Sequence, residues 1–259
     1  MCTLALYFQI FEQFPLVVAA NRDEHYDRPS LPPGFISGSP AIFGGKDLRV
    51  GGTWLAVNQY GVLSAILNRR LEPGEAPTNE VRSRGLLCLD MLNFENAADA
   101  EASLPNQKQY LYQPFNLVVA DRNHAWAAFN VAREIHAMPL APGLHVFSSN
   151  ARHDERSEKK ERAYARFAGL LPELSASDVA SWIASFQHAL ADHSGSNGSP
   201  DRREAICVHG DVSGTVSSSI IMYSRPEHRF RTFFSDGPPC QHAFSEFASL
   251  NIDDSRTEA

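Results

Sequence analysis

The sequence predicts an α+β protein whose antiparallel sheets carry helices on their outer faces. Short apolar segments come in pairs joined by turn residues, which is the pattern of hairpins. Helical patterns fall in blocks between groups of strands instead of alternating with them one for one, and no internal repeat is present. A strict strand–helix–strand alternation would point to a parallel sheet, and this chain lacks it.

The elements follow in order. Thr3 to Ile10 reads as a strand with Leu4, Leu6 and Phe8 on one face. Leu16 to Ala20 reads as a second, more buried strand, and the polar run Asn21-Arg22-Asp23-Glu24 is expected to end it. Glycine and proline crowd Pro29 to Gly52, which reads as a long loop-rich segment. Thr53–Val57 and Gly61–Leu67 flank Asn58-Gln59-Tyr60-Gly61, a hairpin signal; Phe115–Asp121 and His124–Val131 flank Asp121-Arg122-Asn123, another. Leu144–Ser149, Glu204–His209, Thr215–Tyr223 and Arg229–Ser235 complete the expected strands. The first helix is expected over Val81–Leu92, with Leu86, Leu87, Leu89 and Met91. A second, over 154–171, opens on a solvated charge run and closes on Phe167, Leu170 and Leu171. Ser177 is the expected N-cap of a third, with Val179, Trp182, Ile183, Phe186 and Leu190 on one face. His193 to Arg203 has the composition of a flexible surface loop. Residues 1–250 are expected to form one domain, with 251–259 a loose polar tail.

Composition narrows the function. Of 259 residues, 43% are hydrophobic and 20% charged, which is ordinary globular usage. A net charge of −7 and a pI near 5.8 argue against a nucleic-acid partner and leave no polybasic patch for anionic lipid. No apolar run approaches the roughly 20 residues of an integral membrane segment. The start, Met1-Cys2-Thr3-Leu4-Ala5-Leu6-Tyr7, lacks the pattern of a secretory signal. Cys2, Cys88, Cys207 and Cys240 show no CxxC pairing and no disulfide framework, so a reducing compartment, most simply the cytoplasm, is expected. The His and Cys spacings fit none of the zinc patterns, so no metal site is expected.

Cys2 is the sharpest chemical feature. Once Met1 is removed, thiol and free α-amino group sit on one residue. The amine, titrating at roughly 7.7–8.0, can then act as general base for the thiol. The plain alternative is a small buried hydrophobe near a flexible start.

Asn21-Arg22-Asp23-Glu24 follows an apolar strand and is placed to line a pocket beside the first strand; a charged strand-to-loop transition is the plain alternative. Together with Met1-Cys2, Arg28-Pro29 and Gly51-Gly52-Thr53-Trp54-Leu55, it resembles the NRDE-motif family, also called the transport and Golgi organisation family. Phe115-Asn116-Leu117-Val118-Val119-Ala120-Asp121, Ser149-Asn150-Ala151 and Gly214-Thr215 look like its later motifs, so the resemblance spans roughly residues 1–235. It implies a fold similar to the N-terminal nucleophile hydrolases, an αββα sandwich of two antiparallel sheets between helical layers.

Within that fold the resemblance is to the bile-salt hydrolase and penicillin-V acylase branch. It implies catalytic roles for Cys2 as nucleophile, for Asp23 in orienting its α-amino group, and for Asn68 and Asn150 as oxyanion donors. Two positions depart from the branch: Ala20 and Val216 stand where related hydrolases tend to carry arginine. Arg22 could compensate, although strand alternation turns it away from the side that carries Asn21 and Asp23.

Three functions compete. The first is handling of a small hydrophobic or acyl-bearing ligand, which the resemblance implies as haem trafficking or as acyl-CoA or lipid binding. No cofactor is required, and haem would be cargo. His25 and Cys2 are the candidate axial ligands, and Arg22, Arg28, Arg69 and Arg70 the candidate phosphate partners. Asn21, Arg22, Glu24, His25, Arg28 and Trp54 are the expected ligand-binding residues. Trp54 has the alternative of packing into the core behind a tight turn. The second function is an N-terminal cysteine hydrolase of amide or thioester bonds. The third is a protein-partner role in Golgi organisation or secretion, which the family name implies and which no coiled coil, Pro-rich motif or lipidation signal accompanies.

Overall fold

A computed structural model describes residues 2–70, 81–131, 134–174, 178–195 and 204–253. They form two antiparallel sheets with helices outside both, the α+β architecture expected. The six-stranded sheet joins β1 (Thr3–Phe8), β2 (Leu16–His25), β10 (Gly143–Ser148), β11 (Ser213–Ser224), β12 (Arg229–Ser235) and β13 (Ser245–Asn251) in the order β10-β1-β2-β11-β12-β13. In the seven-stranded sheet β3 (Ser30–Gly38), β4 (Ala41–Asp47), β5 (Leu55–Asn58), β6 (Leu63–Asn68), β7 (Phe115–Ala120), β8 (Ala125–Val131) and β9 (Glu134–Pro139) lie side by side in chain order.

Alternation along the strands builds three apolar layers. Leu4, Leu6 and Phe8 of β1, with Leu16, Val18 and Ala20 of β2, meet Val57, Leu63, Ala65 and Val118 between the sheets. The opposite faces of β1 and β2, carrying Ala5, Tyr7, Val17 and Ala19, pack under α3 (Glu158–Ala168), α4 (Leu171–Leu174) and α5 (Val179–Leu190). On the far side, Ala56, Ile66, Leu117, Val119 and Trp126 pack under α1 (Arg84–Met91) and α2 (Ala97–Ala102). Turn chemistry fixes the β5–β6 hairpin: Asn58 Oδ1 accepts from the amides of Tyr60 and Val62, and Gly61 takes φ 96°.

Several expectations are corrected. β2 runs through Asn21–Glu24 to His25, because its register with β11 continues to Ser213↔His25. The Pro29–Gly52 segment contains the β3–β4 hairpin, with exposed residues masking its alternation. Glu204–His209 is not a strand; its only ladder contact is the isolated bridge His209↔Gly214. β9, β13 and α2 carried too little apolar pattern to be expected; β9 is mostly exposed. The α3 charge run is not wholly solvated, since Lys159 is completely buried. Ser177 lies outside the described residues, as do Arg203 and most of the 193–203 loop and the 251–259 tail. The observed N-cap of α5 is Asp178, which accepts from Ser181 N. No helix among the described residues is long and apolar enough to cross a membrane.

Candidate functional site

A cavity of about 590 Å³ opens where β1 begins and β2 and β6 end, within the usual size of a small-molecule site, roughly 300–1,000 Å³. Its wall includes Cys2, Arg22, Asp23, Trp54, Asn68 and Arg84. Antiparallel pairing explains the convergence: Thr3 lies opposite both Asn21 and Ser148, so the chain start sits between the ends of β2 and β10.

Cys2 is held from both sides of its peptide. Its N donates to Ser149 Oγ at 2.7 Å, and Ser149 N donates to its carbonyl at 3.1 Å. The thiol lies 3.8 Å from the Asp23 carbonyl oxygen. Burial pushes the thiol pKa up, with the Asp23 carboxylate adding to the rise and Arg22 opposing it.

The Asp23 side chain is buried and accepts from Thr215 Oγ1 at 2.6 Å. Burial raises its pKa, and Lys159 pulls it back. Lys159, on α3, is 0% exposed; burial lowers its pKa while Asp23, Cys2 and Glu204 hold it up. Thus a carboxyl group and an amine are both sequestered within electrostatic reach of one thiol. Such perturbed pairs concentrate at functional sites.

Alternation divides the polar run at the end of β2. Arg22 lies on the face between the sheets, where its guanidinium sits 4.1 Å over the Trp54 ring and donates to Ser30 Oγ at 3.0 Å. Asn21 is on the opposite face: its amide donates to the carbonyls of Leu190 and Ile206, and its oxygen accepts from Ser218. It therefore ties β2 to the end of α5 and does not line the cavity. Glu24 lines it and pairs with Arg28 at 3.6 Å, and Arg28 is closed off by Asp47 at 2.6 Å. His25 is exposed and outside the cavity wall.

Asn68 lines the cavity at the end of β6. Asn150 does not; its amide nitrogen donates to Glu204 at 2.8 Å, and its buried oxygen has no hydrogen-bond partner among the described residues. Arg69 is buried and donates to the Asn130 carbonyl, while Arg70 is exposed; neither lines the cavity.

Trp54 is placed by a close backbone crossing. A Cβ on Gly52 would stand 2.4 Å from the Gly85 carbonyl carbon, and Thr53 N donates to the Gly85 carbonyl at 3.1 Å. Gly45 leaves the room that the Trp54 indole fills. This crossing also brings the first turn of α1, with Ser83 as its N-cap, into the cavity wall.

Sequence reasoning missed Lys159, Arg84 and Thr215 as site residues. Lys159 was detectable: with Ala163 and Phe167 it forms a buried stripe at intervals of four, hidden among charged neighbours. Arg84 lines the cavity, donates to the Pro114 carbonyl at 2.8 Å and is lowered to about 10 by burial. Arg22 is likewise lowered by burial. Among the described residues neither has a carboxylate within salt-bridge distance, whereas Arg82, also in the wall, is bound to Asp90. Val216 falls in the β-bulge between Thr215 and Ser217. Ala20 is buried between the sheets.

Comparison with known proteins agrees with this fold. The sequence profile of the family Transport and Golgi organisation 2 matches residues 1–233. The Transport and Golgi organization 2 homolog of Mus musculus is 34% identical over 111 residues, 42% of this chain and 39% of that protein. The chain thus matches about two-fifths of that relative's length. Among solved structures, a variant of the conjugated bile acid hydrolase of Clostridium perfringens superposes with TM-score 0.57 at 10% identity, covering 98% of each chain. The penicillin V acylase of Agrobacterium tumefaciens gives 0.53 at 11% identity, over 97% of this chain and 99% of that one. At such identities these two likenesses establish the N-terminal nucleophile hydrolase-like fold alone.

Proposed function

The chain belongs to the Transport and Golgi organisation 2 family, and from that footing we propose that it is an N-terminal cysteine hydrolase acting on the amide or thioester bond of a small acyl-bearing anion. The observation that carries this reading is that the buried Asp23 shares one cavity wall with the Cys2 thiol, while the buried Lys159 of α3, outside that wall, acts electrostatically on both. Sequestering opposite charges costs several kcal/mol per ion before they compensate each other, and structural packing does not require it.

The chemistry runs through the chain's own groups. Removal of Met1 frees the Cys2 amine, which takes the thiol proton as sulfur attacks the acyl carbonyl. Asn68, in the cavity wall, is placed to donate to the developing oxyanion. The ammonium returns its proton to the departing amine or thiol, leaving an acyl group on Cys2 sulfur. Water then adds to that thioester, releasing the carboxylic acid and restoring the thiol. Arg22 and Arg84 would hold the anionic end of the substrate, with Trp54, Ile66, Val81 and Leu86 providing the apolar slot.

A carrier reading has one specific observation in its favour. The raised thiol pKa leaves Cys2 protonated at neutral pH while Met1 is present, which suits binding without turnover. An acyl-CoA phosphate would engage Arg22 and Arg84. A haem iron would have Cys2 as its only His, Cys or Tyr ligand among the described residues of the cavity wall.

Intact-mass measurement separates the two. The protein is incubated with acyl-CoA, with N-acyl amino acids and with haem, under native and denaturing conditions. Hydrolysis requires loss of Met1 and an acyl adduct that survives denaturation and vanishes in Cys2→Ala. Retained Met1 with a stoichiometric complex that denaturation releases would replace the hydrolase with a carrier.

A further inference from the structure

Outside the Cys2 cavity the fold gathers His193, Cys207, His209 and Cys240, with all their ligand atoms within 4.8 Å of one another. They come from three stretches: the exit of α5, the segment before β11 and the loop between β12 and β13. We propose that these four side chains hold one zinc ion in a tetrahedral Cys2His2 site.

The spacing of the donors is the argument. Zinc–sulfur and zinc–nitrogen bonds of about 2.3 and 2.05 Å place tetrahedral ligands about 3.8 Å apart for two sulfurs and about 3.5 Å apart for sulfur and nitrogen. Here Cys207 Sγ and Cys240 Sγ are 3.7 Å apart, Cys207 Sγ and His209 Nε2 3.6 Å, and His209 Nε2 and Cys240 Sγ 3.3 Å. Three corners of the tetrahedron are therefore already formed. The fourth donor, His193, stacks on His209 with ring centroids 5.0 Å apart and planes 10° apart. Its side chain is exposed, and its ring nitrogen lies within 4.8 Å of the other three donor atoms. Two thiolates and two imidazoles suit zinc over magnesium or calcium, which take oxygen ligands. The two sulfurs, at 3.7 Å, are free thiols and not a disulfide. Binding releases the two thiol protons to solvent and leaves a neutral Zn(Cys−)2(His)2 unit.

The position gives the ion a structural task. Cys207 and His209 flank Val208, whose N donates to Thr215 Oγ1 at 2.9 Å and whose carbonyl accepts from Thr215 N at 2.8 Å. Thr215 in turn donates to Asp23. Residues 206–209 are not in a ladder strand, so an ion gripping both sides of Val208 would fix what the sheet does not. Zinc here is a positioning element for Asp23, some distance along the chain of contacts from the thiol.

The test begins with metal analysis of the full-length protein purified without chelator. One zinc per chain is expected. Cys207→Ser and Cys240→Ser should each lose it, His193→Ala should weaken retention against a competing chelator, and Cys88→Ser should keep it. As a measurement independent of variant folding, the wild-type protein is stripped of metal and titrated with Co(II). A 1:1 endpoint with the intense visible absorption of tetrahedral thiolate coordination is expected, together with recovery of hydrogen-exchange protection at the Val208 amide. Zinc far below one per chain, with octahedral Co(II) absorption or none, would overturn the proposal. So would a Cys207–Cys240 disulfide in protein isolated without reductant and refractory to zinc after reduction.

Discussion

The Thr215 hydroxyl donates to the Asp23 carboxylate across 2.6 Å, linking β11 to β2 at the residue whose own carbonyl meets the Cys2 thiol. Asp23 is buried, so this hydrogen bond stands in for water. Thr215→Val keeps the shape and removes the donor. It is expected to lower unfolding stability by about 1–3 kcal/mol, the usual cost of stranding a buried polar group, with Thr215→Ser recovering most of it. Urea unfolding at neutral pH checks this. A loss no larger in Thr215→Val than in Thr215→Ser would mean the hydroxyl does not support Asp23.

Lys159 is expected to be among the most sensitive charged positions. Lys159→Met leaves the buried Asp23 without its cation and should cost about 3–5 kcal/mol. The double variant with Asp23→Asn should be more stable than the two single losses add up to. The pH dependence has a definite sign. Burial raises the Asp23 pKa, so the protonated form contributes stability that is present at low pH and lost as pH rises. Lys159 is depressed by burial, and its contribution is lost as pH falls. Removing it therefore makes the deficit narrow toward acid pH. A deficit that widens in acid would contradict the assignment.

Alkylation separates the cysteines. The Cys2 thiol is pushed up by burial, so its rate with iodoacetamide should keep climbing through pH 8 and beyond while Met1 is retained. Cys88, on the buried face of α1 and pushed up to about 12, should stay unmodified until the protein unfolds. A Cys2 rate that levels off below pH 7 would indicate a thiolate already stabilised by Arg22.

His153 gives the protein an acid-sensitive point away from the cavity. Its ring stacks on Phe147 at 4.3 Å, and burial, reinforced by Lys160 and His145, lowers its pKa to about 3. A depressed folded-state value means stability present at neutral pH and lost as pH falls below the unfolded value near 6.5. The slope approaches about 1.4 kcal/mol per pH unit for one proton. His153→Leu should flatten that part of the profile. Parallel stability curves for the two proteins between about pH 6.5 and pH 4 would rule it out.

Strand alternation was readable wherever one face met an apolar layer. Leu4, Leu6 and Phe8 sit together between the sheets as their spacing implied, and the Asn58–Gly61 turn closes its hairpin. The β3–β4 hairpin was hidden because β3 buries a single residue and needs no apolar period. Opposite faces for Arg22 and Asn21 also followed from alternation. Which of those faces bordered the cavity did not, because both are lined by buried side chains.

The sequence by itself determined the class of fold, the family likeness and the placing of Cys2 next to the end of β2, because these rest on local periodicity and on motifs read in order. Only the tertiary structure decided which charges meet. Lys159 reaches Asp23 from α3, Thr215 from β11, and Cys240 approaches Cys207 across 33 positions. Such contacts are fixed by how the helical layer settles on the sheet and by where loops cross its edge. Electrostatic and metal-coordination energies depend on distances of a few ångströms in space, and separation along the chain carries no record of them.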